Sequence, residues 1–73
     1  MARWEYAELR ASREFAIEWT GPDGESRPLA THDARRVHPA AYLSEVASAG
    51  WEVIAVTEEG TRIYTLRREK RVR

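Results

Sequence analysis

The chain has 73 residues, 42% hydrophobic and 33% charged, with 12 basic residues balancing 12 acidic ones and no cysteine. That length allows one domain with a small core, burying about 60% of the surface its unfolded form exposes. The composition excludes disulfide staples and thiolate metal sites, and the zero net charge argues against a globally steered nucleic-acid binder.

No apolar run approaches the roughly 18 residues that a membrane helix needs. The opening "MARWEYAELR" is charged throughout and lacks an apolar leader region, so a soluble cytoplasmic protein with no membrane partner is expected. The charge is unevenly spread. The last seven residues, "RREKRVR", carry a net +4, which leaves −4 on the other 66.

In chain order, residues 3–11, "RWEYAELRA", alternate as a strand, with Trp4 and Tyr6 on one face and Ala7, Leu9 and Ala11 on the other. Residues 14–20, "EFAIEWT", alternate more cleanly. Phe15, Ile17 and Trp19 share one side; Glu14, Ala16 and Glu18 share the other. Ser12-Arg13 is the break between these strands. Thr20-Gly21-Pro22-Asp23-Gly24 reads as a turn, because Pro22 presets φ and Gly24 supplies a positive one. Residues 25–30 return as a short strand that Pro28 confines to an edge, since proline donates nothing to a ladder.

Residues 31–38 form a loop, and Pro39 suits the first position of a helix over residues 39–49. Leu43, Val46, Ala47 and Gly50 fall at i, i+3, i+4 and i+7, with Tyr42 and Ala49 widening the stripe. Gly50 sits where a left-handed residue closes the last turn, and Trp51 follows at once. This Gly50-Trp51 pair is expected to form a structural corner, with the indole lying across the junction of helix and sheet. "WEVIAVT" (51–57) is a strand, Glu58-Glu59-Gly60 a hairpin turn, and "TRIYTLRR" (61–68) the return strand.

The expected fold is therefore α+β. An antiparallel sheet of four strands, five if residues 25–30 pair, runs in β-β-α-β-β order with one helix on one face. Residues 1–68 make a single domain and residues 69–73 a basic C-terminal tail. Strict alternation places Val53 and Ala55 on one face of the last hairpin and Ile54 and Val56 on the other, with Ile63 opposed to Tyr64 and Leu66. Both faces are then apolar, and one helix covers only one. Ile54, Val56, Tyr64 and Leu66 form a candidate interface, covered either by a second copy of the chain or by residues 21–38 folding back. A homodimer, or another homo-oligomer, is the expected assembly.

These blocks resemble a small bacterial family, domain of unknown function 4177. The likeness rests on "WEYAEL" at 4–9, "LSEVASAGWEVIAV" at 43–56 and "IYTLRR" at 63–68. The resemblance implies an aromatic-Glu-Tyr strand, a helix, a Gly-Trp-Glu corner and a C-terminal hairpin ending in basic residues. It brings no catalytic motif. The chain departs from it in a long middle section, residues 14–36.

Chemistry-bearing residues are sparse in pattern. His32, Asp33 and His38 show no metal-ligand or helical spacing, and His38 reads as a residue capping or preceding the helix. Carboxylates at Glu14, Glu18, Glu45, Glu52, Glu58 and Glu59 read as surface groups pairing with arginines such as Arg62. Ser12, Ser26, Ser44 and Ser48 lack a G-x-S-x-G context, and Gly21, Gly24, Gly50 and Gly60 are too scattered for a phosphate loop. No catalytic, metal or cofactor residue is assigned, and the chain is expected not to be an enzyme but a protein-interaction or self-association module. The alternative is a small nucleic-acid-binding accessory protein. It would use Arg67, Arg68, Lys70 and Arg71 with an aromatic platform of Trp4, Tyr6, Trp19 and Tyr64.

Overall fold

The computed structural model describes residues 3–29 and 37–70. Its elements are β1 (Trp4–Ala11), β2 (Ala16–Thr20), β3 (Ser26–Pro28), α1 (Pro39–Ser48), β4 (Glu52–Glu59) and β5 (Thr61–Glu69). The five strands form one antiparallel sheet in the order β3-β2-β1-β5-β4. The expected α+β class, single helix and antiparallel sheet are present, and residues 26–28 supply the fifth strand.

Alternation in β1 sends Ala7, Leu9 and Ala11 into the core and leaves Trp4 and Tyr6 exposed on the other face. Ser12 closes the first hairpin. Its N–H donates to the Phe15 carbonyl at 2.9 Å, and its Oγ accepts from the N–H groups of Glu14 and Phe15 at 3.2 and 3.1 Å. β2 starts at Ala16, two residues later than alternation suggests. Arg10 faces Glu18 but Ala11 faces Ala16, so Ile17 is an extra residue, a β-bulge. The bulge brings Ala16 and Trp19 onto the same face, opposite Ala11 and Leu9, and corrects the expectation that Ala16 sides with the glutamates.

Gly21–Gly24 turn the chain into β3. The Gly21 N–H donates to the Glu25 carbonyl, the Asp23 carboxylate accepts from the Glu25 N–H, and Gly24 sits at φ +84°. β3 lies at a sheet edge, as Pro28 requires. Residues 21–29 thus extend the sheet and do not cover its second face. Of the rest of the proposed covering segment, residues 37–38 lead into the helix and residues 30–36 lie outside the described residues.

His38 caps the helix, its Nδ1 accepting from the Ala40 N–H at 3.1 Å, and Pro39 occupies the first helical position. The inward stripe is Pro39, Tyr42, Leu43 and Val46, again i, i+3, i+4, i+7 but starting one turn earlier than expected. Ala47 is exposed. At the far end Gly50, at φ +95°, donates to the Ala47 carbonyl at 3.0 Å, and Trp51 donates to the Val46 carbonyl at 3.1 Å. These two bonds are the 5→2 and 6→1 pair of a Schellman motif, and Trp51 and Val46 supply its hydrophobic contact.

The core is one cluster: Ala7, Leu9, Ala16, Tyr42, Trp51 and Leu66, with Trp19, Leu29, Leu43, Val46 and Tyr64 packed around it. Trp19 is its hinge. It meets Tyr42 edge-on at 5.7 Å between ring centroids and Trp51 edge-on at 5.4 Å.

Trp51 is 7% exposed, so Trp51→Ala is expected to destabilise the fold by about 3–5 kcal/mol. Gly50→Ala is expected to cost about 1–2 kcal/mol from its left-handed backbone alone. Urea denaturation of both variants checks this pair. An unchanged midpoint for Trp51→Ala would place the core elsewhere.

Candidate interaction surface

Among the described residues β4 is an outer strand held by β5 alone. All eight of its residues are exposed, although "VIAV" is its centre. Val53 is 42% exposed, Ile54 45% and Val56 53%. A second bulge explains part of this. Val53 faces Leu66 and Ala55 faces Thr65, so Ile54 is the extra residue. Val56 then faces Tyr64, and Val53 and Val56 share the helix side of the sheet. Strict alternation had put them on opposite sides. The helix lies over the β1–β2 side of the core and leaves this pair uncovered.

On the face away from the helix, Glu52, Arg67, Tyr6 and Trp4 form a cross-strand group. Arg67 Nε donates to Glu52 Oε1 at 2.6 Å, and its guanidinium lies 4.3 Å from the centre of the Trp4 ring. Arg10 and Glu18 approach to 3.7 Å on the same face. On the helix side Arg62 donates to Glu58 at 3.2 Å and to the Tyr64 hydroxyl at 3.3 Å. The Tyr64 hydroxyl first, and Glu58 after it, hold the Arg62 guanidinium above its ordinary pKa. The surface pairing of carboxylates with arginines expected from the sequence is present.

Arg68 ties the corner together. Its Nε and a terminal nitrogen donate to Glu5 Oε1 at 2.7 and 2.5 Å, another nitrogen reaches the Ala49 carbonyl at 3.4 Å, and the guanidinium lies 4.4 Å from the Trp51 ring centre. It thereby covers the core tryptophan and satisfies an end carbonyl of the helix. A groove of about 730 Å³ opens beside it, lined by Glu5, Ala49, Gly50, Arg68, Glu69 and Lys70. Its Glu5 and Arg68 are already bonded to each other. Among the described residues no three His, Asp or Glu side chains gather as a metal site requires. His32 and Asp33 lie outside the described residues.

The candidate interface residues separate. Ile54 and Val56 are exposed, Tyr64 is half-buried against the core, and Leu66, 1% exposed, is a core residue of the chain itself and closed to any partner. Leu66 is buried because β5 lies inside the sheet, which residue patterns along one strand do not reveal. Of the alternative basic set, Arg67 and Arg68 are engaged by Glu52 and Glu5, Lys70 is exposed, and Arg71 lies outside the described residues. Trp19 and Tyr64 are turned into the core cluster, away from Trp4 and Tyr6. Val53 was missed by sequence reasoning because the bulge that groups it with Val56 has no signature in the alternation. None of the described helices is long and apolar enough to cross a membrane.

Compared with known proteins, the chain matches no family model, no curated protein and no solved structure.

Arg68→Ala is expected to lower stability by about 1–2 kcal/mol, a figure reduced for the arginine's partial exposure. Arg68→Lys is expected to recover only part of it, because an ammonium cannot bond Glu5 through two nitrogens while lying flat on Trp51. Thermal melts of the two variants with wild type check the order.

Proposed function

We propose that this chain is a non-catalytic self-association module whose contact surface centres on β4. One observation carries the reading: an eight-residue apolar-centred strand is exposed at every position. Ordering a strand costs backbone entropy, and β4 recovers little of that through burial within its own chain. Covering the exposed halves of Val53, Ile54 and Val56 would contribute about 2–4 kcal/mol per chain. A second copy brings the same surface, and a two-fold dimer is the commonest closed arrangement. A cytoplasmic setting belongs to this reading, and the cysteine-free composition fits it. So does kinship with domain of unknown function 4177, which the strand, helix, Gly-Trp-Glu corner and hairpin support in that order.

The nucleic-acid reading has less support. Using Arg67 and Arg68 on phosphate would first require breaking their pairs with Glu52 and Glu5. The aromatic face also carries Glu8, Glu18 and Glu52 beside its two arginines.

Sedimentation equilibrium over a concentration series is expected to show a dimer. Val56→Lys is expected to shift the mass to a monomer with its far-ultraviolet circular dichroism unchanged. A wild-type chain that stays monomeric throughout would refute the proposal.

A further inference from the structure

We propose that the groove beside Tyr6, on the sheet face away from the helix, is a docking site for an arginine side chain of a partner protein. The guanidinium lies on the Tyr6 ring and bonds the Glu8 carboxylate. The site stands apart from β4, so this inference goes beyond the self-association reading and does not rest on it.

The molecule builds the same arrangement twice from its own residues. Arg67 lies 4.3 Å from the centre of the Trp4 ring and bonds Glu52. Arg68 lies 4.4 Å from the centre of the Trp51 ring and bonds Glu5. In each, a flat guanidinium covers a ring and meets a carboxylate. Tyr6 and Glu8 supply the ring and the carboxylate once more. They stand two residues apart on one face of β1, about 7 Å along the strand. Tyr6 is 51% exposed, and Glu8 is exposed as well. Among the described residues no cation stacks on the Tyr6 ring or pairs with Glu8.

The neighbouring cations are already engaged. Arg67, opposite Tyr6 in the ladder, is turned to Trp4 and Glu52. Arg10, the next residue after Glu8 on this face, approaches Glu18. Glu8 is therefore an uncompensated charge in the middle of the face. The register explains the space beside it. Glu8 pairs with Thr20, the last residue of β2, so Tyr6 extends beyond that strand, beside the turn that starts at Gly21. Glycine has no side chain to fill the position. A groove of about 300 Å³ results, lined by Tyr6, Ala7, Glu8, Thr20, Gly21 and Thr65.

Charge and shape name the occupant. A carboxylate beside an open aromatic ring complements a cation and repels a phosphate. Arginine fits it better than lysine, because a guanidinium lies flat on the ring while donating to Glu8. The exposed Trp4, with Arg67 upon it, adjoins the groove and offers contact to the residues that flank the arginine in its own chain. Tryptophan, tyrosine and arginine are the side chains that most often anchor protein interfaces. A partner's arginine would complete here what Arg67 and Arg68 complete elsewhere in the sheet.

The test titrates a capped Gly-Arg-Gly peptide into the isotope-labelled full chain and follows the amide resonances. The same peptide with lysine, or with citrulline as the neutral isostere, is run beside it. The arginine peptide is expected to shift the amides of Tyr6, Glu8, Thr20, Gly21 and Thr65 to saturation, the lysine peptide more weakly and the citrulline peptide not at all. Glu8→Gln and Tyr6→Val, both at exposed positions, are each expected to weaken arginine binding several-fold with the rest of the spectrum unchanged. Unchanged affinity in either variant would overturn the proposal, as would equal shifts around other exposed carboxylates such as Glu14 and Glu45. Oligothymidylate moving these amides in place of the arginine peptide would assign the ring to nucleobases and overturn it too. Movement of the Tyr6 and Glu8 amides with protein concentration alone would give the groove to a second copy instead. A chain that sediments as a monomer and still binds the arginine peptide would uphold this site while removing self-association.

Discussion

The contact on which the rest of the molecule depends is the one between Trp51 and the groups on either side of its ring. Trp19 from β2 meets one edge, and the guanidinium of Arg68 from β5 lies over the ring. Arg68 is in turn gripped by Glu5 of β1, and Trp51 closes the helix through Val46. Helix, β1, β2 and β5 therefore meet at one side chain. Tyr42, edge-on to Trp19, extends the arrangement toward the start of the helix. In so small a protein, where area-driven stabilisation is thin, joining four elements through large aromatic surfaces is an effective use of few residues. β3 and β4 are the elements left out, and every residue of both is exposed.

Local patterns were legible in the sequence where a residue acts through its own backbone or its immediate neighbours. The Gly50 helix end, the Pro22–Gly24 turn, Pro39 and the edge placement forced by Pro28 all belong to this kind. So does β1, whose alternation is uninterrupted. The two bulges, at Ile17 and Ile54, were not legible. A bulge is decided by the partner strand, and a one-residue slip moves every later side chain to the other face. Phe15-Ile17-Trp19 and Ile54-Val56 looked like clean stripes for that reason. The strand order was hidden likewise, since nothing local in "IYTLRR" says that it lies between β1 and β4. Leu66 was consequently assigned to a contact surface when it is one of the two most deeply buried large side chains.

The charge asymmetry also looks different in three dimensions. The run at the end of the chain reads as a free basic patch in one dimension. Arg67 and Arg68 instead point to opposite faces of β5, each against a glutamate from a neighbouring strand and an aromatic ring. Among the described residues, two of the basic groups at the end and two glutamates of the body are the halves of cross-strand pairs. Guanidinium groups suit this role because they are flat enough to cover an indole while bonding a carboxylate.

The central pair of the sheet is β1 with β5, the first and last strands in chain order, so Glu5 meets Arg68 across 63 positions. Consecutive strands form the outer hairpins, and the two hairpins become one sheet only when those two ends meet. Forming that pair closes a loop of nearly the whole domain, which slows folding relative to a chain built from local contacts alone. During synthesis Trp51 must wait for its Arg68 cover, and the core for Leu66, until β5 has left the ribosome. Joining of the two hairpins is therefore a late event on the growing chain, and a polypeptide interrupted before β5 lacks the strand that links them.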